Sequence, residues 1–475
     1  MSGPPADRSE GPRTARAAGR AAVDPATVGG PGDLDLDFAV TRALGAPALA
    51  AVRTIGRVAA ALAMPVYFVG GVPRNLILGR EIGADLDIVA VGDAVALARA
   101  VRAAAGGAMK LHPRFGTATW RTDGVAIDLV TARSERYARP AALPDVAPGS
   151  LDDDLARRDF TVNTLALAIV GDGFGPLIDR HGGRADLTGG IVRVLHAASF
   201  VDDPTRIFRA VRTEVRFDLT MESATEGWAR AAVAGITALS GARLLAELRL
   251  LFAGARPDRA IQRLADLGVL TFLGPSPLAA RPVPTVAAAP AGARGDTDEA
   301  GGGATSRTAQ RETDARLLAW LAANGPAGVR CGERLGLKAA ARRDIATAVG
   351  LAGAPTLASA ATATSAANAF IARHRPTPLA LAIAVAVADG AVARGRLAAY
   401  ATDWHDRPLP LDGDDVIALG VPAGRAVGAT LQALRAAWWD GAITDREAAI
   451  RFVRRHRGEA PGADGEAADH AGAML

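Results

Sequence analysis

The run VYFVGGVPRNLILG at 66–79, followed by GADLDIVAV at 83–91, constrains this chain more than any other. An apolar strand enters a Gly-Gly turn, a helix follows, and a second strand carries Asp85 and Asp87 among apolar neighbours. Side chains alternate along a strand, so positions 85 and 87 fall on the same face. Two like charges side by side in a largely apolar strand are unfavourable unless something offsets them. A D-x-D on its own is more often a solvated strand face. The turn upstream shifts that reading: Gly70 and Gly71 between strand and helix let backbone N–H groups approach a phosphate, and Arg74 can then reach the same anion. Hard carboxylate oxygens beside a phosphate site suit Mg²⁺.

The pattern downstream extends this. GTATWRTDGVAIDLVTARSE at 116–135 predicts a hairpin turning at Asp123-Gly124. Its second strand carries Asp128 among apolar residues. In a small sheet that strand can neighbour the first pair of acids, and two-metal phosphoryl chemistry commonly recruits a third carboxylate. Residues 157–169, RRDFTVNTLALAI, read as a helix or a helix–strand junction carrying Arg157, Arg158, Asp159 and Asn163. Adjacent arginines suit phosphates and the acid suits ribose hydroxyls, although a surface charge cluster has the same composition. At 200–217, FVDDPTRIFRAVRTEVRF carries the acid-then-proline signal of a helix start. Asp203 and Arg206 span that start; together they offer an acceptor and several donors, enough to read a base edge, and a capped helix with an exposed ion pair is the plainer alternative. Arg209, Arg212 and Arg216 continue a basic face.

The chain of 475 residues is 49% hydrophobic and 22% charged, which predicts a globular protein of more than one domain. No uncharged apolar run is long enough for a membrane span; PLALAIAVAVADGAVARG is cut by Asp389 and reads as a buried helix. The N-terminus lacks a hydrophobic signal core, and a cytoplasmic location is expected. Cys331 is the single cysteine, so an internal disulfide and a Cys-based zinc site are excluded, and no disulfide-linked partner is expected. The net charge of +4 is carried almost wholly by arginine, since Lys110 and Lys338 are the only lysines. Arginine abundance fits GC-rich coding as well as a phosphate-bearing partner.

Along the chain, 1–35 reads as a disordered tail and 36–62 as helix. The α/β pattern runs to about 195, and helices follow almost to the end. Residues 276–313 are rich in Pro, Gly and Ala and read as a linker. Helices resume at 314–457, and 458–475 reads as a second disordered tail. The expected class is α+β, a small mixed-sheet head (36–195) before an all-α remainder.

FVGGVPRN…DLDIV, IDLVTARSERY, RRDFTVNTLA and DDPTRIFRAVR, in this order, resemble the signature of class II tRNA nucleotidyltransferases and bacterial poly(A) polymerases of the polymerase-β nucleotidyltransferase superfamily. The likeness is detailed over about 66–275 and weaker over 411–450. It implies a head, a helical neck at 196–275, and a body and tail that bind the tRNA acceptor end. It further implies two Mg²⁺ ions on Asp85, Asp87 and Asp128, with Gly70, Gly71 and Arg74 on the triphosphate. Arg157, Arg158 and Asp159, with Asn163 in the same motif, would contact phosphates and ribose. Asp203 and Arg206, helped by Arg209, would pair with the base of CTP or ATP. The implied activity is addition of CCA, or part of it, to the tRNA 3′ end with release of pyrophosphate. A-only or CC-only addition, poly(A) synthesis and an inactive RNA-binding protein are the alternatives. Three features depart from the family pattern: Pro73 precedes Arg74 and Asn75 replaces an Asp, Asp202 replaces a Glu, and the 276–313 stretch is long. The seven arginines against three acids in 421–457 suit contacts to RNA phosphates.

Overall fold

The computed structural model describes residues 36–83, 85–136, 141, 144–286, 304–404 and 408–456. The tails expected at 1–35 and 458–475, and the middle of the expected linker, lie outside these residues. The chain divides into two compact units, one of residues 1–206 and 217–229, the other of 207–216 and 230–475.

The first unit is built on a seven-stranded mixed sheet. Its strands are β1 (Val66–Val69), β2 (Asp85–Ala90), β3 (Ala108–His112), β4 (Thr117–Thr122) and β5 (Val125–Thr131). The small separate pair β6 (Arg133–Arg136) and β7 (Asp145–Pro148) follows, then β8 (Ala166–Val170) and β9 (Gly173–Ile178) complete the sheet. The order is β3-β4-β5-β2-β1-β8-β9. Helices α1 (Leu36–Leu44) and α2 (Ala46–Ala61) precede the sheet, α3 (Gly71–Ile77) joins β1 to β2, and α4 (Ala94–Ala105) follows β2.

The stretch expected as one helix at 36–62 is two. Gly45 adopts φ 72°, a left-handed value open to glycine, and Pro47 in the first turn of α2 cannot continue a helix from α1. The hairpin at 116–135 forms as expected, with Asp123 and Gly124 both at positive φ in its turn. Residues 157–169 resolve into a short 3₁₀ turn at Thr161–Asn163 and then strand β8, so the junction rather than the helix is realised.

Alternation along β2 decides its two faces. Leu86, Ile88 and Ala90 are buried in the main core with Val52 and Ile55 of α2, Leu97 and Val101 of α4, and Ile127 and Leu129 of β5. Val89 looks the other way, into a smaller cluster with Val69, Ala132, Leu155 and Ala166. That second face also receives Asp87.

Beyond the sheet, α5 (Leu151–Ala156), α6 (Gly183–Thr188), α7 (Ser199–Asp202) and α8 (Thr205–Phe217) follow. Strands β10 (Ile191–Val192) and β11 (Thr220–Met221) form a short parallel ladder, which puts a strand, β11, into the region after 195 read as helical.

The second unit is helical. Glu214 accepts from Arg263 at 2.9 Å and Glu247 from Arg212 at 2.7 Å, so Arg212 of the expected basic face is paired within the protein. The helix Ala304–Ala323 starts inside the stretch read as linker to 313: from Ala304 the Pro and Gly of that stretch give way to residues a helix tolerates. Trp320 on this helix is buried against Phe252. The apolar run at 378–395, read as a buried helix, is instead two, Pro378–Val387 and Ala391–Ala399, which flank Asp389. A separate core of Leu411, Val416, Val421, Leu434, Ile443 and Val453 gathers the last three helices. Among the described residues no helix is long and apolar enough to cross a membrane.

Candidate active site

β2 and β5 run parallel, and their register sets Asp85 opposite Ala126 and Asp87 directly opposite Asp128. The adjacency expected of these two acids is thus a property of the pairing. Both side chains are exposed. Thr119, opposite Asp128 on β4, donates its hydroxyl to Asp128 Oδ1 at 2.6 Å. Like charges directly opposite on neighbouring strands repel. Among the described residues no group of three or more His, Cys, Asp and Glu is gathered as a metal site. The opposed carboxylates of Asp87 and Asp128 still offer hard oxygens of the kind a divalent cation takes.

The Gly-Gly turn lies on the strand beside this pair. Gly70 has φ 61° and ψ −87°, a conformation that side chains resist, and its N–H donates to Leu165 O at 2.9 Å. A Cβ built on Gly70 would stand 3.2 Å from Arg158 Nη1 and 3.4 Å from Asn163 O, whereas one on Gly71 would meet nothing within 4 Å. The turn therefore packs on one side against the RRDFTVN segment and opens on the other.

Arg74 on α3 closes that side. Its Nη1 donates to Asn163 Oδ1 at 2.5 Å, and its guanidinium lies 4.2 Å from the centre of the Phe217 ring. Asn163 in turn donates to Asp159 Oδ1 at 2.8 Å. Asp159 is buried, and Phe160 N donates to the same oxygen at 2.9 Å. Asn75 explains its own departure from the family's Asp. Its amide Nδ2 donates to Glu81 O at 3.0 Å, tying the loop that leads into β2, and a carboxylate has no proton to offer there.

Arg157 and Arg158 meet at Asp154, a buried acid that the sequence reading passed over. Asp154 accepts from Arg157 Nε at 3.0 Å and Nη2 at 2.6 Å, and from Arg158 Nη2 at 2.8 Å. Burial by itself would raise the Asp154 carboxyl, but Arg158 and Arg157 outweigh it and hold the group below the usual carboxylate range. The spacing of Asp154 three and four residues before the arginines was the available signal. Glu135 on β6 accepts from Arg157 Nη1 at 2.9 Å.

Asp203 accepts the Thr205 N–H at 3.1 Å and the Thr205 hydroxyl at 2.7 Å, so it caps α8 as its sequence signal indicated. Arg206 is buried; its Nη1 donates to Ser199 Oγ at 2.6 Å and its Nη2 to Arg157 O at 3.0 Å. A cleft of about 380 Å³ is lined by Ser134, Glu135, Asp153, Arg157, His196, Asp202 and Arg206 among others. Arg209 lies one helical turn beyond Arg206, on the part of α8 that belongs to the second unit.

Comparison with known proteins places the head and the helical part separately. Residues 66–193 match the family described as Poly A polymerase head domain, and residues 218–280 the one described as Probable RNA and SrmB- binding site of polymerase A. An A-adding tRNA nucleotidyltransferase of Geobacter sulfurreducens is 43% identical over 239 residues, 50% of this chain and 27% of that protein. The chain spans about half or less of the length of the A-adding relatives it matches. The structure of the Thermotoga maritima CCA-adding enzyme complexed with tRNA_CCA superposes with a TM-score of 0.65 at 27% identity, covering 88% of this chain and 98% of that one. A CC-adding tRNA nucleotidyltransferase of Geobacter sulfurreducens is 30% identical over 416 residues, 82% of this chain and 91% of that protein. With that match along most of both chains, and the matched head domain, the chain belongs to the tRNA nucleotidyltransferase family of the polymerase-β superfamily.

Proposed function

We propose that this chain adds CCA, or part of it, to the 3′ end of tRNA without a nucleic-acid template, using CTP and ATP and releasing pyrophosphate. The observation that carries the reading is Asp87 set opposite Asp128 on adjacent strands, one strand away from the Gly70 turn and its arginines. The family is metal-dependent. Asp85, Asp87 and Asp128 would hold two Mg²⁺ ions; bound there, these would lower the pKa of the tRNA 3′ hydroxyl and neutralise charge on the triphosphate and leaving group.

The protein's own groups then divide the work. Gly70 and Gly71 admit the triphosphate to the backbone, and Arg74 and Arg158 offset its charge. Asp159 and Asn163 orient the ribose. Asp203 and Arg206 present an acceptor and paired donors to the base edge, with Arg209 assisting from the next turn of α8. The helices at 314–457 carry the tRNA, and their exposed arginines, Arg425, Arg435, Arg454 and Arg455 among them, make its binding salt-dependent. Such an enzyme works in the cytoplasm.

The A-adding and CC-adding relatives favour a second reading, in which the chain performs only one part of the addition. Three tRNAs ending before CCA, after C and after CC, each given labelled CTP, ATP or both with Mg²⁺, separate these readings. Three additions followed by arrest mean complete CCA synthesis. Addition of A alone to the CC end, or of C alone to the shorter ends, means a split system. Long A tails mean a poly(A) polymerase, and no incorporation overturns the proposal.

A further inference from the structure

Asp154 is fully buried on α5, yet it touches none of the groups assigned to metal or base above. A buried carboxylate persists only where donors offset its desolvation. Here the donors are the tandem arginines of the RRDFTVN segment: two bonds from Arg157, one from Arg158, and a longer one from Arg133 N at 3.4 Å.

The two arginines are left in different states. Arg157 gives its Nε and Nη2 to Asp154 and its Nη1 to Glu135, so three of its donors rest on two carboxylates that Arg158 and Arg133 share. It is committed to the protein, and its carbonyl accepts from Arg206 Nη2. Arg158 gives one nitrogen to Asp154, its Nη1 lies against Gly70, and its buried Nε has no hydrogen-bond partner. One end is pinned and the other faces the phosphate turn.

We propose that Asp154 is a positioning residue for the incoming nucleotide: its carboxylate aims Arg158 at the Gly70 turn and, through the main chain of Arg157, fixes Arg206. Arg157 is then a strut between acid and base-reading arginine, not a phosphate ligand. This deepens the nucleotidyltransferase reading and rests on it. One buried acid thereby ties the phosphate side of the site to its base side.

The test uses the full chain as wild type, Asp154→Asn, Arg158→Lys and the double variant, with nucleotide KM and kcat measured on the truncated tRNAs and ATP and CTP binding measured by calorimetry. Loss of a charged hydrogen-bond partner predicts that Asp154→Asn raises nucleotide KM about tenfold or more, with a smaller change in kcat per active site and none in tRNA KM. In the Arg158→Lys background, the same change adds less than about twofold, because the two residues act as one unit. Unchanged nucleotide KM, or full additivity in the double variant, overturns the proposal and leaves Asp154 a structural acid.

If wild type binds nucleotide but extends no tRNA, the functional reading falls, and the calorimetric Kd of Asp154→Asn still decides the role of Asp154. If wild type binds neither nucleotide, both fall. Should Asp154→Asn melt below the assay temperature, Glu135→Gln loosens the same strut from its other end, on β6. A rise of about two- to fivefold in nucleotide KM then supports the proposal, and no change overturns it.

Discussion

Replacing each glycine of the Gly70-Gly71 turn by alanine separates what the fold needs from what the substrate needs. Gly70 sits at φ 61° and ψ −87°, where an L side chain is strained by about 1–3 kcal/mol. A new Cβ there also stands 3.2 Å from Arg158 Nη1, close enough to push the guanidinium aside by a few tenths of an ångström. Gly70→Ala should therefore lower the melting temperature by roughly 2–10 °C for a unit of this size, and raise nucleotide KM because Arg158 moves. Gly71 has no such strain. Its Cβ would enter open space at the first residue of α3, where alanine gains up to about 1 kcal/mol over glycine. Gly71→Ala should melt no lower than wild type, yet raise nucleotide KM, because the methyl group occupies the side from which a phosphate approaches the backbone. Thermal melting by circular dichroism and steady-state kinetics on one set of preparations read both effects. Equal melting of the two variants would refute the strain argument. An unchanged KM in Gly71→Ala would refute phosphate binding at the turn.

Two further outcomes follow from titrating groups. The Asp154 carboxyl is depressed in the folded state, so its contribution to stability is complete above the ordinary Asp value of about 3.9 and is lost as pH falls below it. The melting temperature should fall on acidification below about pH 4, and Asp154→Asn should flatten that acid limb in melts recorded between about pH 3 and 6. Burial pushes the Cys331 thiol up to about 12, against the opposing pull of Arg334. A reagent such as iodoacetamide at about pH 8 should leave Cys331 unmodified in the native protein and alkylate it fully in denaturant; ready reaction in the native state would contradict its burial.

What the sequence disclosed was local. The strand–turn–helix–strand run, the Asp123-Gly124 hairpin and the Asp203 cap are written in neighbouring residues, because alternation, positive-φ turns and capping act over a few positions. The pairing of Asp87 with Asp128 was accessible only as a possibility, since it depends on β5 choosing β2 as its parallel neighbour. Long-range packing hid the rest. Asp154 was one of three consecutive acids; its spacing to Arg157 and Arg158 is legible in LDDDLARRD, but its burial follows from α5 lying on the second face of the sheet through Leu155. Phe217, given no role by the sequence reading, proves to stack under Arg74. The pairing of Arg212 with Glu247 removes from the expected basic face a charge that spacing alone had placed there.

The central claim is that the opposed acids of β2 and β5 support nucleotidyl transfer to tRNA. The most direct measurement is pyrophosphate release and 3′ extension on the three truncated tRNAs with Mg²⁺, comparing wild type with Asp87→Asn and Asp128→Asn. Wild type should extend at least one of the tRNAs, and each variant should melt like wild type while losing about a thousandfold or more in rate. A variant of either residue that keeps its rate within about tenfold of wild type would contradict the assignment of these acids to the reaction.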